Sequence, residues 1–480
     1  MRWILLFIGT AWCTVTLSAQ FERAFSLLMQ ADSSFLLGKF TPTDTLSIAQ
    51  YLYLVQRLHP DMRIAAAALD RAEGANLGAW GALDPRFTFH AATKNYEGGV
   101  KNNELSATVT VPVYWGQRLS LGFRRATAFF DRDYLTTPDG EPSISLSLPL
   151  VRNVLTDPTR TAIARTEQGI VAATAALDER RNSLSYAALA DYYAWAASRA
   201  RYSIALRLFE VAFARYQWIT AEIARGERAP IDSVEILQEV FRRRSLLVRA
   251  RNQVERAALS VALNIWRDNF TSSTMIARYT PEVLPLPAML DSVRIEFDRL
   301  RARQRRPELR RLQAEYEQVQ FDVRLARESF KPALNAKLSL YSPAWSQPVT
   351  QLPTFWKAGL DFELPILYRA PSGQEQQALA QRTQLAALIE LNQRRIDNDV
   401  LLAATTVNAT FEQAMLAQAE RIAAELMVRA EQQLFERGES DLLRLNLRER
   451  LLAEAQEREI EALQAHASAW ALYRWAIADY

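Results

Sequence analysis

Two hydrophobic periods alternate along this chain. In the first, apolar residues recur at three and four positions: Tyr186, Leu189, Tyr193, Ala196 and Ala200 form one narrow stripe of coiled-coil type. There is no proline between Pro158 and Pro230, and Gly169 is the only glycine before Gly226. The spacing therefore predicts one helix over residues 159–225, about 67 residues and about 100 Å long at 1.5 Å per residue. A second glycine- and proline-free stretch runs from Gln374 to Arg437, with Ile396, Val400, Ala403, Val407, Phe411 and Ala414 on one face. Each long helix ends at a glycine turn, Arg225-Gly226 or Arg437-Gly438, and a returning helix follows. The first return, about 231–268, carries Val254, Ala258, Val261 and Ile265; the second, about 441–478, carries Ile460, Leu463, Ala467 and Trp470.

The second period is two. Phe87 and Phe89 alternate with Thr88 and His90, and Leu105, Ala107, Val109 and Val111 with Ser106, Thr108 and Thr110. The same holds for Leu119, Leu121 and Phe123, for Ile144, Leu146 and Leu148, for Ala336, Leu338 and Leu340, and for Ala358, Leu360 and Phe362. Strict alternation predicts strands with one apolar and one polar face. Glu97-Gly98-Gly99 and Pro138-Asp139-Gly140 supply turns between them. Shorter helices precede each strand group. One runs over about 46–77, with its N-cap in Thr41-Pro42-Thr43-Asp44 and an interruption at Pro60; the other covers about 290–329.

The plan is written twice. Arg306-Pro307-Glu308 matches His59-Pro60-Asp61, and Lys331-Pro332-Ala333 matches Asp84-Pro85-Arg86, both at an offset of 247 positions (307 minus 60, 332 minus 85). Leu364-Pro365-Ile366 matches Leu148-Pro149-Leu150. Pro85 to Pro149 is 64 positions but Pro332 to Pro365 only 33, so the first copy carries an additional β-hairpin, about Leu105 to Arg125. The domain reading is a signal peptide over 1–19, a first repeat over 20–270, a linker over 271–289 and a second repeat over 290–480. Strands occupy about 86–149 and 334–364, and long helical hairpins about 159–268 and 374–478.

Composition narrows the function classes. Arg2, the apolar run Trp3 to Val15 and Leu17-Ser18-Ala19 before Gln20 read as a secretory signal. The single cysteine, Cys13, lies inside it, so the mature chain is expected to hold no disulfide and no thiol chemistry. Net charge is +3, which calls for no nucleic acid, and the many Arg residues beside Glu and Asp read as solvated helix faces. No run of about 20 apolar residues follows the signal, so no transmembrane helix is expected. His59, His90 and His466 lack metal-ligand spacing, no phosphate loop is present, and Asp397 and Asp399 point to different helix faces. No enzyme constellation or cofactor is expected.

Two to four strands per repeat cannot close a barrel alone, and an open apolar-faced sheet leaves edges that lipid does not tolerate. If the apolar faces meet lipid, several copies share one barrel. Thr88, Ser143, Ser145, Ser147, Lys337, Asp361 and Glu363 then line a wet lumen, and Trp115, Trp345 and Trp356 are candidates for an interfacial belt, ordinary core packing being the alternative. The fold class read from the residues is mainly α with a β part: a duplicated unit of strands and a long helical hairpin.

The duplicated order, the junction Ser147-Leu148-Pro149-Leu150-Val151-Arg152-Asn153 and the turn Arg437-Gly438-Glu439-Ser440-Asp441-Leu442-Leu443 with Leu447 and Leu451 carry a resemblance. The chain resembles the TolC-like outer-membrane efflux proteins. The resemblance implies a trimeric transmembrane β-barrel continued by a periplasmic α-helical barrel: a homotrimer in the outer membrane, four strands per protomer and twelve in the barrel, and helices reaching through the periplasm. It also implies a passive exit duct in a tripartite efflux system, fed by an inner-membrane transporter and docked by a periplasmic adaptor at the helix tips. The implied adaptor-contacting residues are Arg225, Gly226, Ile231 and Asp232 in the first repeat, and Arg437, Gly438, Ser440, Asp441 and Leu442 in the second. Some members narrow the periplasmic end with acidic residues six and nine positions past the second tip glycine. Here those positions hold Arg444 and Leu447, whereas the first repeat has Asp232 and Glu235 at the same offsets. The expected constriction therefore uses Arg444, paired with Asp232 or Glu235 of the neighbouring hairpin. Two alternatives remain open at this level: the duct of a type I protein secretion system, and a soluble secreted coiled-coil structural protein.

Overall fold

The structure, a computed structural model, describes residues 44–95, 101–126, 140–226, 231–266, 278–342 and 355–480. The signal segment, Trp345, the Glu97-Gly98-Gly99 turn and most of the Pro138-Asp139-Gly140 turn lie outside the described residues. The chain divides into two compact units, each assembled from separated segments and from both repeats. Unit 1 takes Asp191–Pro285 and Met427–Gln464 with the chain up to Val55; unit 2 takes Gln56–Ala190, Leu286–Leu426 and Ala465–Tyr480.

The elements in chain order are β1 (Asp44–Leu46), α1 (Ile48–Leu58), α2 (Pro60–Trp80), β2 (Arg86–Asn95), β3 (Lys101–Pro112), β4 (Arg118–Ala126), β5 (Glu141–Pro149), α3 (Pro158–Ala224), α4 (Ile231–Asn264), β6 (Tyr279–Pro281), α5 (Ser292–Arg305), α6 (Pro307–Glu328), β7 (Ala333–Tyr341), β8 (Phe355–Glu363), α7 (Arg369–Glu436) and α8 (Leu442–Ala476). Helices α3 and α7 have 67 and 68 residues, each about 100 Å by helical rise.

Both Pro60 and Pro307 occupy the first position of a new helix, where the missing N–H is no loss. The residues before them, His59 and Arg306, are extended, as a following proline demands. So the same break divides α1 from α2 and α5 from α6. Helix α7 begins at Arg369, earlier than the proline-free stretch suggested, because Pro371 falls within the first turn. The N-cap of α1 also differs from expectation. Asp44 belongs to a short strand, β1, which pairs in parallel with β6. A reciprocal box caps α1 instead: the Gln50 N–H donates to Ser47 Oγ at 3.1 Å, and the Ser47 N–H to Gln50 Oε1 at 3.3 Å.

In unit 1 the core joins Ala205, Phe209 and Ala212 of α3 to Val240, Leu247 and Ala250 of α4. Their three- and four-residue spacing is that of coiled-coil seams. Tyr192 ties the β1–β6 strap to α3, its hydroxyl donating to the Leu46 carbonyl at 2.5 Å and accepting the Glu282 N–H at 2.8 Å.

In unit 2 the helical core sets Ile396, Val400, Ala403 and Val407 of α7 against Ala469, Tyr473 and Ala476 of α8 and Ala302 and Leu309 of α5 and α6. His466 lies within this packing, fully buried. Its Nε2 accepts the Ala288 N–H at 3.0 Å, so the ring is neutral with its proton on Nδ1, facing Thr410 Oγ1 at 3.1 Å. Burial pushes the His466 pKa down.

Unit 2 also holds a six-stranded, wholly antiparallel sheet in the order β2-β3-β4-β5-β7-β8. The additional hairpin of the first repeat is β3–β4, inserted within the sheet between β2 and β5. Strand β5 pairs with β7 across the repeats, Leu146 opposite Leu338.

Candidate functional site

The sheet sorts its side chains by face. On one face a row runs Phe87, Val109, Leu121, Ile144, Leu340 and Trp356 across all six strands. A second row runs Val111, Leu119, Leu146, Leu338 and Ala358. These residues do not form a core: Phe87 is 68% exposed, Ile144 51%, Trp356 70% and Leu360 70%. A contiguous exposed apolar face of this extent is unusual for a soluble protein and marks a membrane or partner surface.

The opposite face is polar. Thr88, Ser143, Ser145, Ser147, Lys337, Asp361 and Glu363 all lie on it. Ser145 Oγ donates to Ser339 Oγ at 2.9 Å, and Lys337 Nζ meets Asp361 Oδ2 at 2.5 Å. The inserted hairpin extends this face with Ser106, Thr108, Thr110 and Ser120, and with the Arg124–Glu104 pair at 2.8 Å. Aromatic residues collect at both ends of the strands. Tyr341 stacks on Phe355 at 5.9 Å beside Trp356 at one end. At the other, the β3–β4 turn carries exposed Trp115, and Tyr114 stacks on Trp80 at 6.1 Å.

The helix tips are in unit 1. Gly226 and Gly438 both have φ of +77°, a conformation that glycine adopts without strain. At the second tip the Glu439 N–H donates to the Leu434 carbonyl at 2.9 Å and the Gly438 N–H to Phe435 at 3.0 Å, which closes α7 in a Schellman motif. Asp441 then caps α8, accepting the Arg444 N–H at 2.8 Å. Ser440 donates to Glu431. At the first tip, Arg225, Gly226 and Ile231 are exposed, Asp232 is half-buried, and residues 227–230 lie outside the described residues. Arg437 and Gly438 are exposed at the second tip. Leu442 is different. It is only 8% exposed, and it packs on Ile219 and Ile236 of the first hairpin. Its side chain packs between the two tips.

Of the three constriction residues, Arg444 and Glu235 are exposed. Arg444 Nε lies 3.7 Å from Asp441 Oδ2 of its own helix.

Sequence reasoning missed one cluster. Arg243, expected on a solvated face, is 2% exposed. It lies between two carboxylates, Glu239 at 2.7 Å and Glu449 of α8 at 2.6 Å, and it donates to the Leu208 carbonyl at 3.0 Å. Arg215 of α3 grips Glu449 at 2.5 and 3.3 Å and bonds Asn446 Oδ1 at 2.9 Å. Burial pushes the Glu449 carboxyl up, but Arg215 and Arg243 outweigh it and hold the group below its usual range. Glu239 is held down in the same way by Arg242 and Arg243. The cluster links α3, α4 and α8, hence the two hairpins. The i,i+4 spacing of Glu239 and Arg243 is that of an ordinary surface pair, so only the mutual burial of the hairpins reveals it.

Among the described residues, no helix is long and apolar enough to cross a membrane, and no group of three or more His, Cys, Asp or Glu residues converges as metal ligands.

Residues 300–475 match the family described as outer membrane efflux protein. The sequence matches no curated protein. The fold is similar to the CmeC outer membrane channel of Campylobacter jejuni (TM-score 0.63, 13% identity, 90% of this chain and 85% of that one). It is likewise similar to the outer membrane protein VceC of Vibrio cholerae (0.64, 12%, 90% and 96%) and to the MtrE outer membrane channel of Neisseria gonorrhoeae in its open state (0.64, 15%, 90% and 88%). These neighbours are membrane proteins and channels, not enzymes. Over residues 300–475 the chain thus carries the sequence pattern of the outer membrane efflux proteins, and over 90% of its length it has the fold of TolC-like outer membrane channels.

Proposed function

We propose that this protein is the outer-membrane exit duct of a tripartite efflux system. The observation that carries the reading is the two-faced sheet. Six antiparallel strands offer lipid a continuous apolar face and offer water a polar one. A soluble coiled-coil protein has no use for such a face. The matches to outer membrane efflux channels support the same reading.

In this reading three copies share one barrel, and the helical hairpins stand in the periplasm. The seven polar strand residues from Thr88 to Glu363 line the lumen. Flow through the duct is passive: the chain presents no nucleotide loop, and the energy comes from an inner-membrane transporter. A periplasmic adaptor docks on the tip residues Arg225, Gly226, Ile231, Asp232, Arg437, Gly438, Ser440 and Asp441, of which Ser440 and Asp441 also set the second turn. Leu442 contributes by holding the tips together. Arg444, with Asp232 or Glu235 of the neighbouring hairpin, narrows the periplasmic mouth.

Planar-bilayer recording of the purified protein tests the duct. Stepwise conductance is expected, and Arg444→Ala is expected to raise the resting level and alter block by divalent cations. Membranes that stay silent in repeated trials remove the duct reading. An unchanged resting level and block in the variant remove only the Arg444 constriction. A photo-crosslinker placed at Arg225 or Arg437 is expected to capture the adaptor in cells, and absence of capture at both positions removes the docking role.

A further inference from the structure

We infer that the barrel of this protein has 18 strands, six from each of three copies, because the β3–β4 hairpin is part of the membrane wall. The inference rests on the duct reading above and departs from the twelve strands that the family resemblance implies.

Four observations on the sheet carry it. First, the hairpin lies inside the strand order, hydrogen-bonded to β2 on one side and β5 on the other, and is not appended at an edge. Removing it from the wall would require β2 and β5 to part from their partners and re-pair with each other.

Second, its chemistry continues that of its neighbours. Val109 and Leu121 stand between Phe87 and Ile144 in one apolar row, and Thr110 and Ser120 stand between Arg86 and Ser145 in one polar row. Thr110 Oγ1 and Ser120 Oγ are 3.4 Å apart on the polar face, as a lumen-lining ladder would have them. A hairpin meant for the extracellular medium has no reason to expose Leu121 at 45% on the face shared with Ile144 and Leu340.

Third, β3 and β4 have 12 and 9 residues, beside 10, 9, 9 and 9 in β2, β5, β7 and β8. A tilted strand needs about 9–11 residues to cross the hydrocarbon core. All six are therefore long enough.

Fourth, parity is kept. Strand direction alternates through the sheet, so the two edge strands, β2 and β8, run in opposite directions. In a ring of copies β8 of one protomer meets β2 of the next in antiparallel register, which an all-antiparallel barrel demands. An inserted hairpin adds two strands and preserves that relation; a single inserted strand would destroy it. Both edges are exposed on each face and run 10 and 9 residues without proline. They are long, open templates for strand addition, and a second copy of the chain is the occupant whose polarity matches on both faces. Barrel diameter grows roughly linearly with strand number, so this wall is about half again as wide as one of twelve strands.

The test uses the full chain, whose only cysteine, Cys13, lies in the signal segment, so that each introduced thiol is unique in the mature protein. Leu121→Cys in the hairpin, Leu338→Cys in β7 and Ser120→Cys on the polar face are labelled with an environment-sensitive fluorophore and placed in nanodiscs containing doxyl lipids. The labels at positions 121 and 338 are expected to be quenched to the same extent, and the label at 120 not at all. Quenching at 338 without quenching at 121 places the hairpin outside the bilayer and overturns the inference while leaving the duct intact. Quenching at neither position overturns the duct reading, and the inference with it. Because labelling can disturb assembly, the unmodified chain is imaged in parallel by electron cryo-microscopy in nanodiscs. A wall of 18 strands is the expected count, and 12 contradicts it.

Discussion

The two repeats share their helices closely and their strands poorly. Each opens with a proline-broken helix pair and each runs through a long helix of 67 or 68 residues to a glycine at φ +77°. Yet the first repeat contributes four strands to the sheet and the second only two. The difference shows where the architecture tolerates change. Each long helix packs along the returning helix of its own hairpin, so a length change in one shifts the seam contacts of the other. An antiparallel meander takes up two strands with no effect on the direction of those beyond them.

The repeats also differ in charge where they meet. At the register set by the tip glycines, Arg243 corresponds to Ala455, and Glu449 to Leu237. Both of these buried charges stand where the other repeat is apolar, which makes the two hairpins complementary rather than interchangeable at this cluster.

The strongest way to break that complementarity is Arg243→Ala. It removes the cation between Glu239 and Glu449, which keep Arg242 and Arg215 respectively, and the loss of a buried partner costs at most about 3–5 kcal/mol. A large fall in the thermal unfolding midpoint in detergent is the expected outcome; a fall no larger than that of Arg394→Ala, an exposed helix pair worth about 0.3–0.5 kcal/mol, would show that the cluster does not join the repeats.

Acid probes the same cluster without mutation. Glu239 and Glu449 titrate below their usual 4.5 in the fold, so their contribution is complete above that pH and is lost as pH falls through the depressed values. His466 adds an earlier step. Its folded pKa is lowered from 6.5, so the unfolded chain takes up the proton first and stability declines as pH drops below about 6.5. A pH series of unfolding midpoints should show both steps, and His466→Gln should remove the upper one alone.

The tips offer smaller and sharper comparisons. A Cβ added at Gly226 or Gly438 meets nothing within 4 Å, so alanine there costs only the left-handed backbone, about 1–2 kcal/mol, and nearly the same at both tips. Unequal losses would show that one turn depends on contacts beyond its own backbone. Asp441→Ala removes the cap on the Arg444 N–H and should cost about 1 kcal/mol, with Asp441→Asn retaining most of it.

Much of this architecture is legible in the sequence. The lengths of α3 and α7 follow from where glycine and proline are missing, and the duplication follows from two proline motifs at one offset. The hairpin was legible as an excess of residues with period-two alternation, and its insertion between β2 and β5 needed the pairing register. What stayed hidden depends on contacts far apart in the chain. Leu442 and Leu443 are neighbours of the same type, but one is 8% exposed and the other 69%, because only the first meets Ile219 and Ile236. Ser47, not the residues before it, caps α1, because Asp44 is taken up by the parallel pairing of β1 with β6, which joins segments more than 230 residues apart.

Native mass spectrometry of the protein extracted from the membrane fraction of cells tests the central claim most directly. A detergent-dependent particle of three chains is the predicted result. A monomer that stays soluble without detergent would contradict it, because the exposed apolar face of the sheet would then have no lipid to meet.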